Sequence, residues 1–82
     1  MPGYALHPQV GLRDEAFGAL AYHYGNRRLV FLKAPALVKV VESLADYPTA
    51  ADAIAAHVPD AQRDSYRQAL SGLLSSEVIR AR

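Results

Sequence analysis

Between residues 17 and 33 the chain reads as two β-prone runs, rich in Tyr, Val, Leu and Phe, on either side of Gly25-Asn26. Glycine and asparagine tolerate the positive φ that a two-residue hairpin turn requires. Counting outward from that turn, Tyr24 faces Arg27, Tyr22 faces Leu29 and Leu20 faces Phe31. Side chains alternate along a strand, so these residues share one face of the ribbon. Ala19, Ala21 and His23 share the other with Leu32, Val30 and Arg28. One face therefore carries large side chains, and the other mixes alanines with Val30 and Leu32. A two-stranded ribbon is marginal alone and must pack on the rest of the chain.

Upstream, residues 6–13 alternate weakly, with Leu6, Pro8, Val10 and Leu12 on one side. This predicts a strand, held to a sheet edge by Pro8, which cannot donate to a ladder. Residues 1–5 read as loose and 14–16 as a turn. After Lys33 the period changes: Leu37, Val40, Val41 and Leu44 recur at the spacing of one helix face. Pro35 suits the first helical turn. Thr49 reads as an N-cap, with Asp52 three residues on completing a capping-box pattern. Ala53, Ile54 and Val58 would anchor that second helix. In a third, Tyr66, Leu70, Leu73 and Leu74 fall at i, i+4, i+7 and i+8. Val78 and Ile79 suggest a short extended tail. Strands over about 6–13, 18–24 and 27–32, then short helices over about 35–45, 50–57 and 61–75, predict an α+β fold. The class is a winged helix-turn-helix-like three-stranded antiparallel sheet followed by three helices.

Composition narrows the class of function. A chain of 82 residues reads as one domain. It has no cysteine, which removes disulfides and thiolate ligands and fits a reducing cytoplasm. A net charge of +1 does not favour nucleic acid or an anionic membrane. No apolar run approaches the ~20 residues of a membrane span, and the N-terminus lacks a signal-peptide pattern.

Candidate chemistry is sparse. His7, His23 and His57 have no second histidine or carboxylate at ligand spacing. His57, near a helix C-terminus, is a favourable dipole partner. Ser71, Ser75 and Ser76 lack a nucleophile elbow, and the five glycines form no phosphate loop. Nothing in the pattern argues for catalysis, metal or cofactor. Of the tyrosines, Tyr22 and Tyr66 suit the core or its rim, Tyr24 and Tyr47 the surface. Arg27, Arg28 and Lys33 bracket the second hairpin strand, either as protective edge charge or as an edge built for an acidic peptide. Arg63 and Arg67 flank Tyr66 and are balanced by Asp60 and Asp64.

The run His7-Pro8-Gln9-Val10-Gly11-Leu12-Arg13, then Glu15, Phe17-Gly18-Ala19-Leu20, Tyr22 and Arg28-Leu29-Val30-Phe31-Leu32-Lys33, closely resembles the mycofactocin-system peptide chaperone family. That family sits within the wider group of RiPP recognition elements, which resemble the chaperone of pyrroloquinoline quinone biosynthesis. The resemblance implies a non-catalytic domain. It would bind the leader of a ribosomal precursor peptide and present it to a radical S-adenosylmethionine maturase. That enzyme oxidatively decarboxylates, then cross-links, the precursor's Val-Tyr end. In related elements the leader adds as a strand to the third strand and lies against the third helix. Carried onto this chain, the surface would comprise Arg27, Arg28, Leu29, Val30, Phe31 and Leu32, with Tyr66, Arg67, Leu70, Leu73 and Leu74 on the helix.

Two other readings stand beside it. A winged-helix DNA-binding domain would use the third helix as reader, although its mixed charges do not make a one-sided phosphate track. A weak homodimer would pair the open strand edge with its own copy.

Overall fold

The computed structural model describes residues 3–82. The order of elements is β1 (Tyr4–Leu6), β2 (Val10–Glu15), β3 (Gly18–His23), β4 (Leu29–Leu32), α1 (Pro35–Ser43), α2 (Ala50–His57), α3 (Arg63–Ser75) and β5 (Ile79–Ala81). Short 3₁₀ turns cover Leu44–Asp46 and Asp60–Gln62. β2, β3 and β4 form an antiparallel sheet in that order, and β1 pairs antiparallel with β5 in a second, two-stranded sheet.

The architecture is α+β, with three helices and a three-stranded antiparallel sheet, an arrangement compatible with a winged helix-turn-helix. Its strands differ from the sequence reading at several places: β2 runs to Glu15 through part of the expected turn at 14–16, β4 begins at Leu29 rather than 27, and the first strand differs for a clear reason. The expected strand over residues 6–13 is split, because Pro8 and Gln9 form a turn rather than an edge. His7 Nδ1 accepts the Gln9 amide at 3.0 Å, and the His7 carbonyl accepts the Val10 amide at 2.9 Å. Of residues 1–5, expected to be loose, Tyr4 and Ala5 belong to β1, and residues 1–2 lie outside the described residues. β1 pairs with β5 from Tyr4↔Ala81 to Leu6↔Ile79, so the two ends of the described chain are tied together. Helix α1 stops at Ser43 and continues as a 3₁₀ turn, rather than running to 45. The third helix begins at Arg63 after its own 3₁₀ turn, rather than at 61.

The hairpin register is Tyr22↔Leu29 and Leu20↔Phe31, as counting predicts. The turn is not the expected Gly25-Asn26 pair. It spans residues 24–27 and closes with His23 N–H donating to Arg28 O at 2.9 Å and Arg27 N–H donating to His23 O at 2.7 Å. Positive φ falls on Arg27, at 61°. The buried imidazole of His23 holds this turn, its Nδ1 accepting the amides of Gly25 at 3.0 Å and Asn26 at 3.1 Å. A Cβ on Gly25 would meet that ring and the Gln9 side chain, so the glycine is there for room rather than for φ.

The core lies between the inner face of the β2–β4 sheet and the helices. Ala19 and Ala21 on β3, Leu32 on β4, and Val38, Val40, Val41 and Leu44 of α1 and its 3₁₀ extension are buried together. Alanines on the sheet let α1 approach closely, and its valines fill the space. Ala53 and Ile54 of α2, Leu70 and Leu73 of α3, and Val78 and Ile79 complete the cluster. The Thr49 side chain caps α2 by accepting the Asp52 amide at 3.2 Å. Helix α3 ends in a Schellman arrangement: Val78 N–H donates to Leu73 O, Glu77 N–H donates to Leu74 O, and Glu77 sits at φ 65°.

Candidate functional site

β4 is the outer strand of its sheet, and its backbone polarity follows from the ladder. His23–Arg28 is a hydrogen-bonded pair, and such pairs recur every second residue. Ala21–Val30 and Ala19–Leu32 are therefore the next two, so Val30 and Leu32 turn their amides and carbonyls toward β3, while the Arg28 carbonyl accepts from His23 and its amide donates to Asn26 Oδ1 at 2.9 Å. The backbone groups of Leu29 and Phe31 point the other way and have no backbone partner among the described residues. Side chains alternate in step. Leu32 is fully buried, Val30 is half-buried against the core, and Leu29 and Phe31 are each 55% exposed on the outer face.

Helix α3 borders the open edge. A shallow cleft of about 180 Å³ lies between the β4–α1 junction and the first half of the helix, lined by Lys33, Ala34, Leu37, Ser65, Tyr66 and Ala69. At the other end of the strand, Asn26 Nδ2 donates to a Glu77 carboxylate oxygen at 3.3 Å, joining the 24–27 turn to the end of α3. Strand and helix thus run in opposite directions, with the hairpin turn beside the helix C-terminus. Ser65, Ala69 and Gly72 recur at i, i+4 and i+7 along α3. A Cβ on Gly72 would touch nothing, so this side of the helix is open.

The structure divides the residues named from sequence into separate places. Arg27 and Arg28 are exposed at the start of the edge, and neither has an ion-pair partner among the described residues. Tyr66 borders the cleft. Leu70 and Leu73 are core residues, only 5% and 6% exposed. Arg67, Leu70 and Leu74 line a different cavity of about 200 Å³ on the far side of α3, with Tyr4, Ala50 and Ile54 among its other walls. Arg67 is held by Asp64 at 2.6 Å, and Arg63 by Asp60 at 3.1 Å. Both arginines of α3 are paired with nearby carboxylates, Arg67 on the helix itself and Arg63 with the 3₁₀ turn before it, which leaves the helix without the one-sided positive face of a DNA reader. Sequence reasoning had named Lys33 beside the strand edge but missed Ala34, Leu37, Ser65 and Ala69 as cleft residues. The signal available was the small-residue spacing along α3, which a search for apolar stripes passes over.

The histidines are structural. His7 and His23 lie with ring centroids 4.4 Å apart, and burial together with the neighbouring His23 holds His7 below the ordinary histidine pKa. Ser43 Oγ and His57 Nε2 are 3.1 Å apart, between α1 and α2. No group of three metal-ligating side chains comes together among the described residues. No helix there is long and apolar enough to cross a membrane.

The geometry defines a small α+β domain in which the outer edge of β4 is unpaired, as is that of β2, and an unpaired edge is a place where an extended chain can add. A family model for the peptide chaperone MftB family matches residues 3–80. Among curated relatives, the peptide chaperone MftB of Mycobacterium tuberculosis is 49% identical over 78 residues, covering 94% of this chain and 72% of that protein. The peptide chaperone MftB of Mycolicibacterium smegmatis is 51% identical over 75 residues, covering 90% of this chain and 74% of that one. No solved structure matches. The chain belongs to the MftB peptide chaperone family, whose named role is chaperoning a peptide and is not a catalytic one.

Proposed function

We propose that this chain binds the leader of a ribosomal precursor peptide as a strand added to β4, and presents it to a radical S-adenosylmethionine maturase in cytoplasmic mycofactocin biosynthesis. The observation that carries the reading is the free backbone of Leu29 and Phe31 beside the α3 cleft. Main-chain hydrogen bonds to those two residues supply affinity that tolerates sequence, and alternate side chains of the added strand supply selectivity. One set of those side chains would turn under the edge toward Tyr66, Ala69 and Leu37. The other would lie beside Leu29 and Phe31 on the outer face. Ordering a disordered leader costs about 2–5 kcal/mol, which the cleft contacts must offset. Arg27, Arg28 and Lys33 favour an acidic leader, speeding encounter more than they hold the complex. Arg67, already paired with Asp64, adds little to that attraction.

The test is a titration of the purified domain with the leader half of the precursor peptide, followed by backbone amide NMR. Shifts should centre on Leu29–Leu32 and on Ser65, Tyr66 and Ala69, with Leu29 and Phe31 amides gaining protection from exchange. Proline is tolerated on an edge strand where its N–H would face outward. Phe31→Pro should therefore keep the fold and lose at least tenfold in leader affinity, whereas Val30→Pro removes a ladder bond and should damage the fold. A folded Phe31→Pro protein that binds leader normally would refute strand addition here.

A further inference from the structure

We propose that the outer face of the β2–β4 sheet is the docking surface for the enzyme partner, reading an apolar patch rimmed by carboxylates on that protein. The inference rests on the chaperone reading above and assigns a second surface, distinct from the leader groove. Phe17, Leu20, Tyr22, Tyr24, Leu29 and Phe31 gather on this face, and all but Leu20 are exposed. Contiguous exposed apolar area of this kind marks an interaction site. The rings are already ordered by one another. Phe17 and Phe31 meet edge to face at 5.8 Å, and Tyr22 and Tyr24 do so at 4.9 Å. Anchors fixed before contact lose little freedom on binding.

An added leader strand would flank this surface only along Leu29 and Phe31 and would leave the rest of it open. It would lie beside β4, one strand spacing of about 4.8 Å beyond the edge, while Tyr22 and Tyr24 stand on the opposite side of β4, in or just after β3. The side chains of Leu29 and Phe31 would sit between the two, so leader and enzyme would meet along β4.

Shape and charge describe the occupant. Phe17, Phe31 and Lys33 line a hollow of about 300 Å³, which has room for one large side chain beside a cation. Lys33 and Arg27 have no ion-pair partner among the described residues, and Arg13 on this face is matched by Glu15 at 3.4 Å. The unbalanced charge of the face is positive. A second copy docked by a two-fold axis would bring cations to cations, with its Glu15 already paired. A partner with carboxylates around an apolar anchor is complementary.

The test compares two variants, Tyr22→Ser/Tyr24→Ser and Phe17→Ser, with the wild-type chain. Association with the purified radical S-adenosylmethionine enzyme is measured without peptide by interferometry, and leader affinity separately by anisotropy. Both variants should bind the enzyme at least tenfold more weakly and the leader within twofold of wild type. If the tyrosine pair proves necessary for folding, Phe17→Ser, which lies in a turn, carries the test alone. Unchanged enzyme association, or no association of the wild type, overturns the proposal. So does a wild-type dimer in sedimentation that the variants dissociate while still binding enzyme normally, which would assign the face to a second copy. Loss of leader binding by the wild type counts against the chaperone reading and leaves the enzyme measurement readable.

Discussion

The two faces of the β2–β4 sheet invert the usual allocation of size. The inner face carries Ala19, Ala21, His23 and Leu32 and is buried, while the outer face carries Leu20, Tyr22, Leu29 and Phe31 and is largely open. Hydrophobicity alone would send the larger residues inward. What decides is fit. Helix α1 brings Val38, Val40 and Val41 to the sheet, and an alanine floor lets it pack at close range. Aromatic rings cannot occupy that layer without prising it apart. A face that keeps large apolar groups in water while small ones fill the core is better explained by contact with another molecule than by folding.

The sharpest contrast uses neighbours on β4. Leu32→Ala should cost about 2–5 kcal/mol in urea unfolding, because the site is fully buried and cannot collapse freely. Phe31→Ala, one residue away and 55% exposed, should cost less than about 1 kcal/mol, chiefly the edge-to-face contact with Phe17. Equal losses would erase the distinction between the faces.

Gly18 tests how tightly the two hairpin strands are held at the far end from the 24–27 turn. Its φ is 148°, and a Cβ there would run into the Leu32 carbonyl oxygen, which is backbone and cannot swing away. Gly18→Ala should cost about 1–3 kcal/mol by the same urea measurement. A neutral result would mean that β4 can shift relative to β3, and the division of its backbone groups between ladder and open edge would then be less fixed.

Parts of this were legible in the sequence because they depend on period alone. Pairing of Tyr22 with Leu29 follows from alternation and survives an error about the turn. The turn itself was illegible, because it is set by side-chain acceptors that residue type does not announce: His23 Nδ1 takes the Gly25 and Asn26 amides, and Asn26 Oδ1 takes that of Arg28. The pairing of β1 with β5 was hidden for another reason, although an extended tail at Val78 and Ile79 was expected. Three-residue strands carry too little pattern, and each exists only because the other is nearby. On α3 the apolar stripe led to Leu70 and Leu73 being placed on the expected peptide surface, but both lie in the core. The cleft toward β4 is bordered by Ser65 and Ala69, whose smallness is the relevant property and which hydrophobic periodicity does not detect. Family resemblance named an edge and a helix as the expected peptide surface, while the sorting of their residues among cleft, core and outer face needed coordinates.

The smallest expected effect concerns the buried polar side chain on the inner face. His23 is buried with its Nδ1 accepting two turn amides, and its ring lies against His7. Desolvation, then the charge of His23, then that of Arg80, lower the His7 pKa from 6.5, while Glu77 opposes them. A histidine whose folded pKa lies below its unfolded one binds protons more readily when unfolded. Its contribution is thus fully present above about pH 6.5 and declines as pH falls through the window below that value. Urea midpoints should decrease modestly from pH 7.5 to 5.5, and His7→Gln should flatten the profile. The outer face carries no histidine, so the Tyr22 and Tyr24 surface should respond to that pH change only through the turn that His23 anchors. An enzyme-binding profile that drops with pH while the urea midpoint holds steady would show that the two faces are coupled by something other than stability, and would undo the separation drawn between them.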